Sequence, residues 1–332
     1  MSQSDGFNIF HMSDLHFNGK NLELIKIVLH HLVEAAPRYV FITGDFVEGP
    51  ADDLDVAVTM IRNAIREVER VSGFLPMLKV VPGNHDFFYK GTYGLRRTWK
   101  FYRLFTEEER GNGFSPEDMI AVATFDSNQI FEPRGGIWRK TIQLMRAMSH
   151  GLIIERDLDA FSEWTRQLRQ SHDGEKYARS FKVALLHHHP MPTRYSFLPR
   201  MADEGFMMLE NAGALLYRLI QENFDLIIHG HRHFPQFCRA VYKNQDGEER
   251  SVAVLACGSS AKKHDDLTRI VGHNFNIIRI SWDGSVHAEQ YFRRSTGAFL
   301  PGPNRTLIRG PRKPLISQTT KLGDWFGPIM GH

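Results

Sequence analysis

Short apolar, β-rich runs alternate with amphipathic stretches through the first quarter of the chain. FNIFHM (7–12), RYVFIT (38–43) and MLKVV (77–81) each end in polar or glycine-bearing residues. Between them Leu22, Ile25, Leu29 and Leu32 recur at helical spacing, as do Leu54, Val58, Ile61, Ile65 and Val68. That periodicity predicts two amphipathic helices, and strand, helix, strand, helix, strand predicts parallel βαβ units in an α/β fold.

The pattern loosens in the middle. Residues 87–118 are rich in aromatic and basic side chains and fit neither period, which suggests a lid insertion. AVATFDS (121–127) reads as a strand, and 128–156 takes no assignment. A helix over about 157–170 leads into the strand FKVALL (181–186). A second, carrying Leu209, Ala212, Leu215, Leu216, Leu219 and Ile220, leads into FDLIIHG (224–230). QFCRAVY, SVAVLACG, FNIIRISWDG and VHAEQYF follow as antiparallel strands. Residues 1–300 are expected to form one catalytic domain. Residues 301–332, rich in Pro, Gly and basic side chains, are expected to form an extended tail, with Trp325 and Phe326 as anchors and a possible role in homo-oligomer formation.

Composition excludes more than it assigns. The chain is 42% hydrophobic and 24% charged, ordinary for a globular protein. A net charge of +3 is too weak for a general nucleic-acid footprint. Nucleic acid is therefore possible but not favoured as a partner. Two cysteines, Cys238 and Cys257, make no disulfide framework. The N-terminus has no secretory pattern, and no run approaches the roughly 20 apolar residues of a membrane span. A reducing cytoplasm is the expected compartment.

The chemistry gathers in five segments, each just after an expected strand: Asp14-Leu15-His16, Gly44-Asp45, Gly83-Asn84-His85-Asp86, His187-His188-His189-Pro190 and Gly230-His231-Arg232-His233. In an α/β sheet, ligand sites form outside the carboxyl ends of the strands, so distant segments can converge. Residues two apart in extended backbone share a side, which would make Asp14 with His16, and His231 with His233, two-ligand clasps. Carboxylate, amide and imidazole donors together suit Mn, Fe or Zn, and carry too much nitrogen for calcium.

The order D-x-H, G-D, G-N-H-D, H-H-P, G-H-x-H resembles the calcineurin-like metallophosphoesterase superfamily over roughly residues 7–292. The resemblance implies a metallophosphoesterase β-sandwich flanked by helices, in four αββα layers, with a dinuclear site at the strand ends. It implies that Asp14, His16, Asp45 and His233 hold one of two divalent or mixed-valence ions. Asp45 would bridge to a second ion, held also by Asn84, His188 and His231. His187 is the alternative to His188, and His189 would point to the opposite side of the strand from His188, as a pocket wall or a support behind the ligands. His229 is expected to be structural. His85 would be the catalytic histidine, oriented by Glu48 or Asp86. Such an ion pair polarises phosphate oxygens and lowers the pKa of a bound water toward neutrality.

Two departures set this chain apart from the phosphoprotein phosphatase branch. Glu48 stands where that branch has aspartate, and Pro50 follows Gly49 in place of an arginine. The looser likeness around Gly151, Leu158, Trp164 and Leu168, and around Gly205 to Asn211, is to the small bacterial phosphodiesterase branch. The expected activity is hydrolysis of a small-molecule phosphodiester, such as a nucleotide or glycerophosphodiester. The alternatives are a phosphomonoesterase or nuclease on the same scaffold, or a catalytically silent binding scaffold. Arg96, Arg97, Lys100 and Arg103, interleaved with Trp99, Phe101 and Tyr102, would either grip an anionic substrate or form the solvated side of an ordinary helix.

Overall fold

In β1 (Gly6–Met12), Phe7 and Ile9 turn one way and Phe10 and Met12 the other, and both sets are buried. A strand buried on both faces needs a layer on each side, and the computed structural model supplies them. It describes residues 6–49, 53–87, 100–128, 150–192, 208–243, 249–261, 272–293 and 297–308.

Beside β1 run β2 (Tyr39–Thr43) and β3 (Met77–Val81), in parallel. Their connections are α1 (Leu22–Ala35), which buries Ile25, Val28, Leu29 and Leu32, and α2 (Leu54–Ser72), which buries Val58, Ile61, Ile65 and Val68. These are the apolar stripes of the sequence, one face of each helix laid on the sheet. The chain then crosses through α3 (Lys100–Leu104) and α4 (Glu107–Arg110) to β4 (Gly113–Ser115) and β5 (Ile120–Thr124).

The second half repeats the logic. Helices α5 (Glu155–Gln170) and α6 (Gly174–Arg179) precede β6 (Phe181–Leu185), and α7 (Ala212–Gln221) precedes β7 (Leu226–His229). The chain continues with β8 (Gln236–Lys243), β9 (Glu249–Ala256), β10 (His273–Ser281), β11 (Val286–Arg293) and β12 (Leu300–Ile308). Two six-stranded sheets result, ordered β12-β11-β10-β1-β2-β3 and β4-β5-β6-β7-β9-β8.

Period-two alternation sorts the apolar residues into three layers. Phe7, Ile9, Tyr39 and Phe41 meet Val122, Val183, Leu185 and Ile228 between the sheets. Phe10, Met12, Val40 and Ile42 pack outward with α1 and α2. Ala184, Leu186, Ile227 and Val254 pack outward with Leu158 and Phe161 of α5 and Leu215 and Leu219 of α7. The order is helix, sheet, sheet, helix, as expected.

Three expectations change. The 87–118 insertion is not a lid over residues 100–118. Phe101 and Phe105 are buried in the core beside α2, and β4 is an edge strand. Residues 88–99, with Arg96, Arg97 and Trp99, lie outside the described residues. The tail does not begin at 301. Strand β12 pairs with β11 as far as Ile308, buries Leu307, and ties the two sheets together where Arg239 Nη2 donates to Leu307 O at 2.6 Å. The remainder of the tail, with Trp325 and Phe326, lies outside the described residues. Finally, β9 is antiparallel to β8 but parallel to β7. Among the described residues no helix is long and apolar enough to cross a membrane.

Candidate metal centre

Strands β1 to β3 and β5 to β7 run parallel within their sheets, so their carboxyl ends carry all five segments to one end of the sandwich. The loops there are stitched to one another. Asp14 N donates to Gly44 O at 3.0 Å, His16 N to Asp45 O at 2.9 Å, and Gly230 N to His187 O at 3.1 Å. The backbone is not extended. Asp14 (φ 52°), His16 (φ 45°), Asp45 (φ 52°), His231 (φ 73°) and His233 (φ 51°) all occupy the left-handed region. Such conformations cost energy in residues with a Cβ and collect where surrounding structure holds functional side chains. Asp14 and His16 do share one group of donors, though not through extended backbone. His231 and His233 turn toward different groups of donors.

The first group is Asp14, His16, Asp45 and His233. His16 Nε2 lies 3.0 Å from His233 Nε2 and 3.6 Å from Asp45 Oδ2, and His233 Nε2 lies 3.2 Å from Asp14 Oδ1. The second contains Asp45, His187 and His231. His187 Nε2 is 3.4 Å from the same Asp45 Oδ2 and 3.1 Å from Asn84 Oδ1, and His231 Nδ1 is 3.1 Å from both Asn84 Oδ1 and His187 Nε2. Asp45 Oδ2 thus faces both groups, while Asp45 Oδ1 accepts the His85 backbone N–H at 2.8 Å.

These donors fit metal ions. Asp14 Oδ1 is buried without a hydrogen-bond donor among the described residues, although two imidazole nitrogens lie 3.8 and 3.2 Å from it. Buried carboxylates and imidazole nitrogens converging on one point are the donor set of a transition-metal or zinc site. His187 Nδ1 donates to Thr43 O at 2.7 Å, which leaves Nε2 for the centre.

The electrostatics agree. Burial would raise the Asp14 carboxyl, but the His16 and His233 rings beside it hold it well below the usual carboxylate range. Burial is likewise overcome at Asp45, by the charges of His187 and His85. Burial alone would lower His187, yet the Asp45 carboxylate raises it to about 9. His231 is pushed down by burial and by His188, which favours a neutral ring.

Three expected roles need correction. His188 does not face the centre as His187 does. Its Nδ1 lies 2.9 Å from Ser127 Oγ, and its Nε2 is buried without a hydrogen-bond partner among the described residues. The Glu48 carboxylate stands near both His16 and His85, one oxygen and a nitrogen of each ring lying within 4.8 Å of one another. It is the Glu48 backbone carbonyl that accepts from His85 Nδ1 at 2.7 Å, while Glu48 Oε2 lies 3.3 Å from His16 Nδ1. Asp86 braces the loops, accepting from Gly83 N at 2.8 Å, Phe46 N at 2.9 Å and Asp45 N at 3.1 Å. Burial and the neighbouring Asp45 raise its carboxyl to about 8. His189 is buried with neither ring nitrogen hydrogen-bonded among the described residues, and His229 Nδ1 donates to Gly230 O at 3.2 Å.

Other supports were not anticipated. Ser259 Oγ donates to Asp14 O at 2.8 Å, and Asn21 Nδ2 donates to Leu15 O and Ala261 O, each at 2.8 Å. Ser127 and Ser259 follow β5 and β9, so the strand-end rule would have found both. Two glycines are required by space. A Cβ on Gly83 would collide with the Asp45 carboxylate and amide, and one on Gly230 with Ser13 Oγ and Asp14 Oδ2.

The sequence profile of the family described as calcineurin-like phosphoesterase matches residues 7–235. Among curated proteins no sequence matches. Among solved structures, the chain resembles a dimetal phosphatase from Danio rerio at 12% identity, with a TM-score of 0.56 over 90% of this chain and 99% of that one. It also resembles GAP50, the anchor in the inner membrane complex of Plasmodium, at 14% identity, with a TM-score of 0.51 over 94% and 91%. Likeness at these identities carries the fold, which both share although one is described as a phosphatase and the other as an anchor. The family match adds the chemistry: the chain belongs to the calcineurin-like phosphoesterases and is a metal-dependent hydrolase of phosphate esters with a dinuclear centre.

Proposed function

We propose that the protein hydrolyses small-molecule phosphodiesters, with a nucleotide or glycerophosphodiester as the substrate class. Asp14, His16, Asp45 and His233 would hold one ion, and Asp45, Asn84, His187 and His231 the other, with Mn, Fe or Zn suiting the donors. The observation that carries this reading is the single oxygen, Asp45 Oδ2, within 3.6 Å of His16 Nε2 and 3.4 Å of His187 Nε2.

When bound, the ion pair supplies Lewis-acid charge on the phosphoryl oxygens and a water of lowered pKa. The chain's own residues supply position and protons. His85 packs edge-on to His16, with ring centroids 4.8 Å apart, so it stands beside the centre. Because a carbonyl can only accept, the Glu48 carbonyl keeps the proton on His85 Nδ1. His85 Nε2 is then the nitrogen left to face the departing oxygen, and with a second proton there the ring would serve as a positioned acid or charge stabiliser.

The preference for diesters rests on sparse cationic charge. A monoester dianion favours arginine clamps beside the ions, and Arg232 is the only arginine within a motif. Phe87, which follows the third motif, is buried, and Lys100 pairs with Asp55 on α2. The test is kcat/KM for bis-p-nitrophenyl phosphate and p-nitrophenyl phosphate with Mn²⁺, alongside cyclic nucleotides and single-stranded DNA. The diester is expected to be the better substrate. A monoester preference above about tenfold, or ~1.4 kcal/mol in transition-state stabilisation, would overturn the diester assignment.

A further inference from the structure

Glu48 stands between two imidazoles with two different groups. Its carbonyl oxygen accepts from His85 Nδ1 at 2.7 Å, and its carboxylate Oε2 lies 3.3 Å from His16 Nδ1, within ion-pair reach though outside hydrogen-bond geometry. The residue itself is fixed, since Glu48 N donates to Phe17 O at 3.2 Å, next to the bridge between Phe17 and Val47. His16, whose side chain is fully buried, turns its other nitrogen, Nε2, toward Asp14, Asp45 and His233.

An imidazole that binds an ion through Nε2 must carry its proton on Nδ1, and a carboxylate facing Nδ1 fixes that tautomer and raises the basicity of Nε2. We infer that the Glu48 carboxylate is a positioning residue for the ion-binding His16, while the Glu48 backbone carbonyl sets the tautomer of His85. One residue thereby sets the ring state of a ligand through its side chain and of the catalytic histidine through its main chain. The two roles are separable, because substitution at Glu48 removes the first and leaves the carbonyl in place. The extra methylene that distinguishes Glu48 from an aspartate then has a reason, the reach across to His16.

The inference rests on the ion-ligand reading above, and Asp45→Ala separates the failure of one from the other. The experiment is Mn²⁺ titration of wild type, Glu48→Ala, Glu48→Gln and Asp45→Ala by calorimetry. It is joined to nitrogen-15 NMR of the histidine rings, with His16 assigned from a His16→Asn variant. Glu48→Ala should weaken one of the two ions by about 10–100-fold, the usual cost of losing the partner of a ligating histidine. In the metal-free protein the His16 ring should lose its Nδ1–H signature, while the His85 ring keeps its own. Glu48→Gln, which retains an acceptor of the same shape and guards against a folding artefact, should fall between wild type and Glu48→Ala. Wild-type affinity for both ions in Glu48→Ala, or an unchanged His16 ring, overturns the inference. If Asp45→Ala still binds both ions, the ligand reading itself has failed.

Discussion

The two donor groups differ in charge and in origin. The first combines two carboxylates with two imidazoles, and three of its four members come from the β1 and β2 loops of one sheet. The second has only the shared Asp45 carboxylate, with Asn84 from the β3 loop and His187 and His231 from the other sheet. The first group therefore concentrates more negative charge, with three of its four members in one set of stitched loops, while the second draws half of its donors from each sheet. The centre is asymmetric by construction. The first group should hold its ion more tightly, and the second should depend on how the sheets sit together.

The strongest way to break this comparison is to remove what the groups share. Asp45→Ala should abolish binding of both ions and take turnover below detection. Metal analysis that found both ions retained would remove the basis for a bridging carboxylate. Next come substitutions on one side only. Asp14→Ala should cost the first ion and His187→Ala the second, each leaving a single ion measurable by calorimetry. If either variant loses both ions together, the groups do not bind separately. Least disruptive to metal is His85→Ala, which should keep both ions and lower kcat by about 10²–10⁴-fold. Loss of an ion in that variant would make His85 a ligand.

Much of this was legible from periodicity. The stripes at Ile25, Leu29 and Leu32, and at Val58, Ile61, Ile65 and Val68, became the faces α1 and α2 lay on the sheet. Placing the motifs after strands brought them together. Of the three histidines after β6, the structure brings His187 to the shared Asp45 oxygen, for a physical reason. The row Phe181, Val183 and Leu185 faces between the sheets, and two further residues along the same row is His187, not His188. Reading parity from the strand would have selected it. Glu48 could not be read from sequence, because its distinction is between carbonyl and carboxylate on one residue. Nor could β12, whose Pro301, Gly302 and Pro303 suggest a tail. An edge strand tolerates proline because its outward N–H groups need no partner.

The central claim is that two ions sit side by side with one oxygen of Asp45 facing both. Crystals grown with Mn²⁺ and measured at its absorption edge test it directly. The expected anomalous map has two peaks, one ringed by Asp14, His16, Asp45 and His233, the other by Asp45, Asn84, His187 and His231. A single peak, or a second peak ligated by His188 in place of His187, would contradict it.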